Sequence, residues 1–151
     1  MRDNKPDYAT IASFRAALRT FEDAAAEAAH VAGLTPQRYL LLLMVKGAPA
    51  GDERATISDV AGRLRVRPHT ITGAVSRAEE AGLVTRERCT QDRRRIWIRL
   101  TGEGERRLET AVKALQTQRE MLLAAIEEVA VNARTIAAAE DEPASRRARR
   151  H

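Results

Sequence analysis

The sequence predicts a mainly α-helical protein with a small β-hairpin wing, the winged helix-turn-helix fold, and three observations carry that expectation. In the stretch 67–81, RPHTITGAVSRAEEA, Ile71, Val75 and Ala78 recur at helical spacing, with Ala74 and Ala81 beside them and polar residues on the other faces. Pro68 suits a first helical position, where its missing N–H loses no partner, and Gly82 suits a left-handed residue just past the end. A shorter capped helix precedes this one across a tight turn, and two segments rich in branched and aromatic residues follow it around the polar TQDRRR.

Taken in order, residues 1–8 are polar, include Pro6 and read as a flexible lead-in. From Ala9 onward Ile11, Phe14, Leu18, Phe21, Ala25, Ala28 and Ala32 advance by threes and fours, a narrow seam on a long helix that ends at Gly33. Such a seam wants a partner helix, either in the same subunit or in a second copy. Thr35 and Pro36 are an N-cap and a first-turn proline for PQRYLLLLMVK, which is apolar almost all round and therefore buried on several sides. Gly47 closes it, and Ala48 to Arg54, with Pro49 and Gly51, reads as a loop.

Thr56 and Asp59 have capping-box spacing with Asp in place of Glu, and Ile57, Val60, Ala61 and Leu64 form a one-faced stripe. Arg65 and Val66 make the turn into the next helix. Arg67 sits at its N-cap, where Ser is better and a cation has the wrong sign; it is either offset by a nearby phosphate or simply solvated. The hairpin strands are Leu83 to Glu87 and Ile96 to Leu100, and the tip carries Asp92, Arg93, Arg94 and Arg95.

Thr101 caps a final helix with Leu108, Val112, Leu115, Leu122, Ile126 and Val129 along one side, uninterrupted by proline or glycine from Gly104 to Pro143. At about 1.5 Å per residue it outruns a domain of this size, so it must pack on another chain or bend. A homodimer is expected, with Ile11, Phe14, Leu18, Leu115, Leu122 and Ile126 in the interface. The organisation is then one domain over 9–140, with the winged region at about 34–101 and dimerisation helices at about 9–32 and 102–139. Residues 141–151, ending SRRARRH, read as a disordered basic tail.

Composition narrows the partners. Lys and Arg number 26 against 21 Asp and Glu, a net charge of +5 that favours a polyanion. Aromatics are 3% of residues, too few for a surface that grips single strands by stacking bases, so double-stranded DNA is the better fit. One cysteine makes no internal disulfide and no secretory leader opens the chain, so a cytoplasmic protein is expected. The longest apolar run, Tyr39 to Val45, is far short of a membrane span. There is no Gly-rich phosphate loop or metal-ligand cluster, and His151 is one of only three histidines, so no enzyme, cofactor or metal site is expected.

The ordered set of Leu34-Thr35-Pro36, Ile57-Ser58-Asp59-Val60-Ala61 through Leu64, Thr70-Ile71-Thr72, Gly82-Leu83-Val84 and Asp92-Arg93-Arg94 running on to Leu100-Thr101 resembles the MarR family of bacterial transcriptional regulators. The resemblance spans most of Leu34 to Gly104. It implies a winged helix-turn-helix homodimer with interlocked terminal helices, two recognition helices in successive major grooves of a near-palindromic operator, and a wing arginine, Arg94, entering the minor groove and held by Asp92. A repressor relieved by a small-molecule effector is the expected activity. The C-terminal segment departs from the family in lacking its turn and Leu-rich last helix.

Each role has a physical basis. Major-groove reading needs short polar side chains near a helix start, and Pro68, His69, Thr70, Thr72 and Gly73 occupy that region, with Arg77 one turn on for backbone or guanine. His69 in a polar turn suits a phosphate contact or plain solvation more than base reading. Asp92 either reduces the entropy of extending Arg94 or is an ordinary loop residue. Gly73, mid-helix at a cost of about 1 kcal/mol, implies close approach of backbone to DNA or packing on a neighbouring helix. Arg86 and Arg88 are near enough to lower the pKa of Cys89, yet a lone cysteine is usually an inert small hydrophobe. His30, Arg38 and Tyr39 either line an effector pocket or are routine packing and surface residues. The other reading is a winged-helix protein-interaction module, which predicts duplex binding without steep salt dependence or half-site symmetry.

Overall fold

A computed structural model describes residues 7–148, and their side chains as far as 138. The elements are α1 (Tyr8–Val31), α2 (Pro36–Lys46), β1 (Arg54–Ala55), α3 (Ile57–Leu64), α4 (Pro68–Glu80), β2 (Val84–Arg88), β3 (Ile96–Leu100), α5 (Gly102–Ala114) and α6 (Gln116–Ala148). The strands form one antiparallel sheet in the order β1-β3-β2. This is the winged helix-turn-helix that the sequence predicts, mainly α with a small sheet.

The sequence places one domain over 9–140, whereas the chain divides into two compact units. Ala25–Leu115 is one; the residues before Ala25 and those from Gln116 onward form the other. The first has its own core, in which Leu41, Leu42 and Val45 of α2 meet Val60, Val75, Leu83, Val84 and Ile98, all at most 1% exposed. The α2 helix is buried on several sides as its composition requires, starting where the Thr35 hydroxyl accepts from the Arg38 N–H. At its other end Arg63 Nη1 donates to the carbonyls of Met44 and Gly47 at 3.2 and 2.9 Å, so α3 supplies the cap.

The capping box at α3 is present in both directions, Asp59 N–H to Thr56 Oγ1 at 3.1 Å and Thr56 N–H to Asp59 Oδ2 at 2.9 Å. The turn into α4 is made by Arg65 in the left-handed region, φ 54°, a conformation a non-glycine residue adopts at a cost of about 1 kcal/mol. In α4 the buried side is Ile71, Val75 and Ala78, and Arg67 makes no side-chain cap bond. Gly82, at φ 72°, turns the chain into β2.

Four expectations change. Residues 48–54 are not all loop, because Arg54 and Ala55 pair with Arg99 and Ile98. The strand is two residues long and flanked by turn residues, so it has no readable alternation; Ala55, 1% exposed, is held by its pairing and burial. The last helix is not continuous: it is interrupted at Leu115, between α5 and α6. Leu115 is 2% exposed and packs in the core of its own unit, so it is not available to a partner chain. Residues 141–148 are not a disordered tail; α6 runs through Pro143 to Ala148, carried by strong helix formers on either side. The remaining tail, 149–151, and residues 1–6 of the lead-in lie outside the described residues.

In the second unit α1 begins at an aspartate, with Thr10 N–H donating to Asp7 Oδ1 at 3.1 Å. Asn132 Nδ2 of α6 donates to Thr10 Oγ1 at 3.0 Å. Ile11 is 50% exposed, Met121 62%, Leu123 59% and Ile126 44%, while Phe14, Leu18 and Leu122 are half-buried. Among the described residues no helix is long and apolar enough to cross a membrane.

The start of α5 lies against the backbone at Leu83: a Cβ on Gly104 would be 2.1 Å from the Leu83 carbonyl oxygen. Gly104→Ala should therefore lower the stability to urea by roughly 3 kcal/mol, because the obstacle is main chain rather than a movable side chain. An unchanged unfolding midpoint would show that the helix start yields freely.

Candidate nucleic-acid interface

The polar side of α4 is presented as the sequence suggests. His69, Thr70, Thr72 and Arg77 are exposed, and so are Arg67 and Pro68 at the start. Thr72 Oγ1 donates to the Pro68 carbonyl at 3.1 Å, which directs its methyl group outward along the helix surface. A Cβ on Gly73 would be 3.3 Å from Arg77 Nη1, the movable end of a side chain one turn along the same helix.

The wing is a hairpin with Val84 to Arg88 opposite Leu100 to Ile96. At its tip the Arg94 N–H donates to Asp92 Oδ1 at 3.0 Å and the Arg95 N–H to the Asp92 carbonyl at 2.9 Å. The Cys89 N–H closes the tip onto the Arg95 carbonyl at 2.9 Å. Asp92 thus shapes the loop backbone and makes no ion pair with Arg94. That corrects the picture of an aspartate gripping the guanidinium: with its oxygen committed to the main-chain turn, it fixes where Arg94 leaves the loop, not how the side chain extends. Asp92, Arg93, Arg94 and Arg95 are all exposed.

Arg86 joins the two parts. From β2 its Nη1 donates to Glu79 Oε2 at 3.0 Å and its Nη2 to Ser76 Oγ at 2.9 Å, both on α4. Sequence reasoning placed Arg86 only as a neighbour of Cys89; its outward position in a period-two strand was the available signal. The Cys89 thiol is held below its ordinary pKa, but the cause is the backbone N–H of Asp92 and then that of Gln91, not the arginines.

Several cations of the scaffold are paired. Lys46 pairs with Glu53 and Glu105, Arg54 with Asp52, Arg99 with Glu87 and Arg107 with Glu103. Arg67, Arg77, Arg93, Arg94 and Arg95 form no ion pair with any described residue. Five guanidinium groups around one helix and one hairpin, none of them in an ion pair with a described residue, make a strongly positive surface.

Among the clefts that adjoin it, two lie between elements. One, of about 320 Å³, lies between Thr56, Ile57, Ser58 and Asp59 at the start of α3 and Arg94, Arg95 and Ile96 of the wing. The other, of about 250 Å³, is lined by Thr35, Gln37, Arg38, Leu41, Ala74 and Arg77. Of the residues considered for an effector pocket, Arg38 lines this second cleft, Tyr39 is buried and His30 is exposed, so the three are not brought together. Among the described residues no cluster of His, Cys, Asp and Glu suits a metal ion.

A model of the MarR family matches residues 32–95, a stretch that holds α2, α3, α4, β2 and the wing tip. The HTH-type transcriptional repressor YetL of Bacillus subtilis is 36% identical over 77 residues, covering 51% of this chain and 45% of YetL. The repressor MdtR of the same organism is 32% identical over 103 residues, 62% of this chain and 64% of MdtR. The chain thus spans less than two thirds of the length of either relative. Among solved structures, CouR from Rhodococcus jostii RHA1 bound to p-coumaroyl-CoA aligns with a TM-score of 0.62 at 27% identity, covering 77% of this chain and 79% of CouR.

The Asp59 carboxyl, at the edge of the larger cleft, is kept below the ordinary carboxylate range chiefly by the Thr56 N–H. A carboxyl depressed in the folded state adds stability above its ordinary value, and that contribution is lost as pH falls through this value towards the folded one. Asp59→Asn should therefore make the fall in stability below about pH 4 shallower than in the parent. Denaturant midpoints measured from neutral to acid pH check this, and parallel curves for the two proteins would rule it out.

Proposed function

We propose that the chain is a MarR-type regulator, on the match of residues 32–95 to that family's model: a sequence-specific binder of double-stranded DNA that acts as a homodimeric, ligand-responsive transcriptional repressor. The observation that carries this is the pairing of the open polar start of α4 with unpaired wing arginines, tied into one unit by the Arg86 bonds to Ser76 and Glu79. Short polar residues at a helix start suit base edges in the major groove, and a cationic hairpin tip suits the adjacent narrow groove with its negative potential. Thr70 and Thr72 are the base-reading candidates, Pro68 and Gly73 shape the approach, and Arg67, His69 and Arg77 take backbone. Arg93, Arg94 and Arg95 are the wing contacts, with Asp92 setting the loop.

Dimerisation rests on the second unit. Ile11, Met121, Leu123 and Ile126 are each more than 40% exposed, apolar surface that a second copy removes from water. Phe14, Leu18 and Leu122 extend the same interface. Two-fold symmetry then presents two α4 helices to half-sites about one DNA turn, roughly 34 Å, apart. The names of YetL and MdtR support repression, and the p-coumaroyl-CoA in CouR supports release by a small molecule. The role is binding rather than catalysis, in the cytoplasm, without cofactor.

Arg94→Ala should weaken operator affinity roughly tenfold and reduce the salt slope by about one, while Lys113→Ala, on α5 and paired with Glu109, should change neither. Operator duplex selected from a random pool supplies the probe. Affinity and salt slope untouched by Arg94→Ala would remove the wing from the interface. Ile126→Glu should give a monomer by sedimentation and lose operator binding with it; a dimer that persists would place the interface elsewhere.

A further inference from the structure

The chain has a single tryptophan, and it belongs neither to the core nor to α4. Trp97 lies in β3, opposite Glu87, and is half-buried. Two guanidinium groups sit on it. The Arg54 carbon is 4.3 Å from the ring centroid and the Arg95 carbon 5.4 Å, distances at which the ring quadrupole attracts a cation. Arg54 is anchored independently by Asp52 at 3.0 Å and by the β1 pairing, so it steadies the ring. Arg95 has no such anchor. Its guanidinium makes no ion pair or hydrogen bond with a described residue; the indole holds it, and the Asp59 carboxylate attracts it at longer range.

Arg95 also lines the cleft of about 320 Å³ at the start of α3. The one carboxylate there, Asp59, is committed to the Thr56 N–H at 2.9 Å, and the Ser58 hydroxyl has no partner among the described residues. Arg94 shares the loop, the charge and the cleft but has no ring beneath it, which makes it an internal comparison.

We propose that Trp97 is a positioning residue for nucleic-acid binding: its ring holds the Arg95 guanidinium at this cleft, where Arg95 and Ser58 take a backbone phosphate of duplex DNA. The proposal rests on the reading of the chain as a duplex binder. An exposed arginine samples many rotamers, and every one removed before the phosphate arrives is an ordering cost not incurred on binding. The indole removes rotamers without neutralising the charge, which a carboxylate would do. A phosphate seat of this kind is indifferent to sequence, so its effect appears on any duplex.

The test uses the full chain and a mixed-sequence duplex of about 40 base pairs at low salt, where phosphate contacts dominate. Arg95→Ala and Trp97→Leu should each weaken binding roughly threefold, the size of an exposed cation–ring contact, and Trp97→Phe should retain most of the affinity. Combined with Arg95→Ala, Trp97→Leu should cost nothing further; combined with Arg94→Ala, it should cost its full threefold. A merely structural tryptophan would instead give losses that multiply in both backgrounds, and that result overturns the proposal. A second measurement needs no change at the ring: emission of Trp97 in the free protein should shift in Arg95→Ala and not in Arg94→Ala. Identical emission from parent and Arg95→Ala overturns it as well. Parent protein that ignores duplex at every salt concentration overturns the functional reading together with this one, whereas multiplying losses overturn this one alone.

Discussion

The joint at Gly82 and Leu83 is the constraint on which the geometry of the winged unit depends. Thr101 Oγ1 donates to the Gly82 carbonyl at 2.6 Å and accepts from the Gly104 N–H at 3.1 Å, while the Thr101 N–H donates to the Leu83 carbonyl at 3.0 Å. The end of α4, the start of β2, the end of β3 and the start of α5 therefore converge on a few main-chain groups. Leu83 and Gly104 are buried, so their main-chain groups must find partners within the protein. The hairpin cannot change its angle to α4 without breaking them. Arg86 then adds a side-chain strut across the same angle, farther out along β2. Two contacts at different radii from the joint stiffen it more than either would alone.

Much of this was legible in sequence, for identifiable reasons. Caps are local: Thr35, Thr56 with Asp59, and Thr101 act within three residues, so their spacing alone locates α2, α3 and α5. The buried side of α4 follows from its period, and Ile71, Val75 and Ala78 are where that period puts them. What stayed hidden depends on partners distant along the chain. Ala55 is a strand residue only because Ile98 lies opposite, and Arg54 touches Trp97 only because of that pairing. The break at Leu115 has no proline or glycine to announce it; burial of that leucine in one unit ends α5 there. The exposed polar side of α4 follows from the same period, whereas the Arg86 bonds to Ser76 and Glu79 and the seat of Arg95 on Trp97 join residues of different elements.

Asp92 shows how an acidic residue among arginines misleads when it is read as an ion-pair partner. Its Oδ1 accepts the Arg94 N–H and its main-chain carbonyl accepts the Arg95 N–H, so it acts on the backbone of its own turn. At Gly73 the space a Cβ would take borders only the movable end of Arg77, so the helix itself does not require the glycine.

The stretch matched by the family model, residues 32–95, lies wholly inside the unit Ala25–Leu115. That unit carries an apolar core that runs from Ala28 to Leu115. If the flanks carry the subunit contact, as proposed above, substitutions confined to them can change which copies pair while leaving the interior of the winged unit as it is.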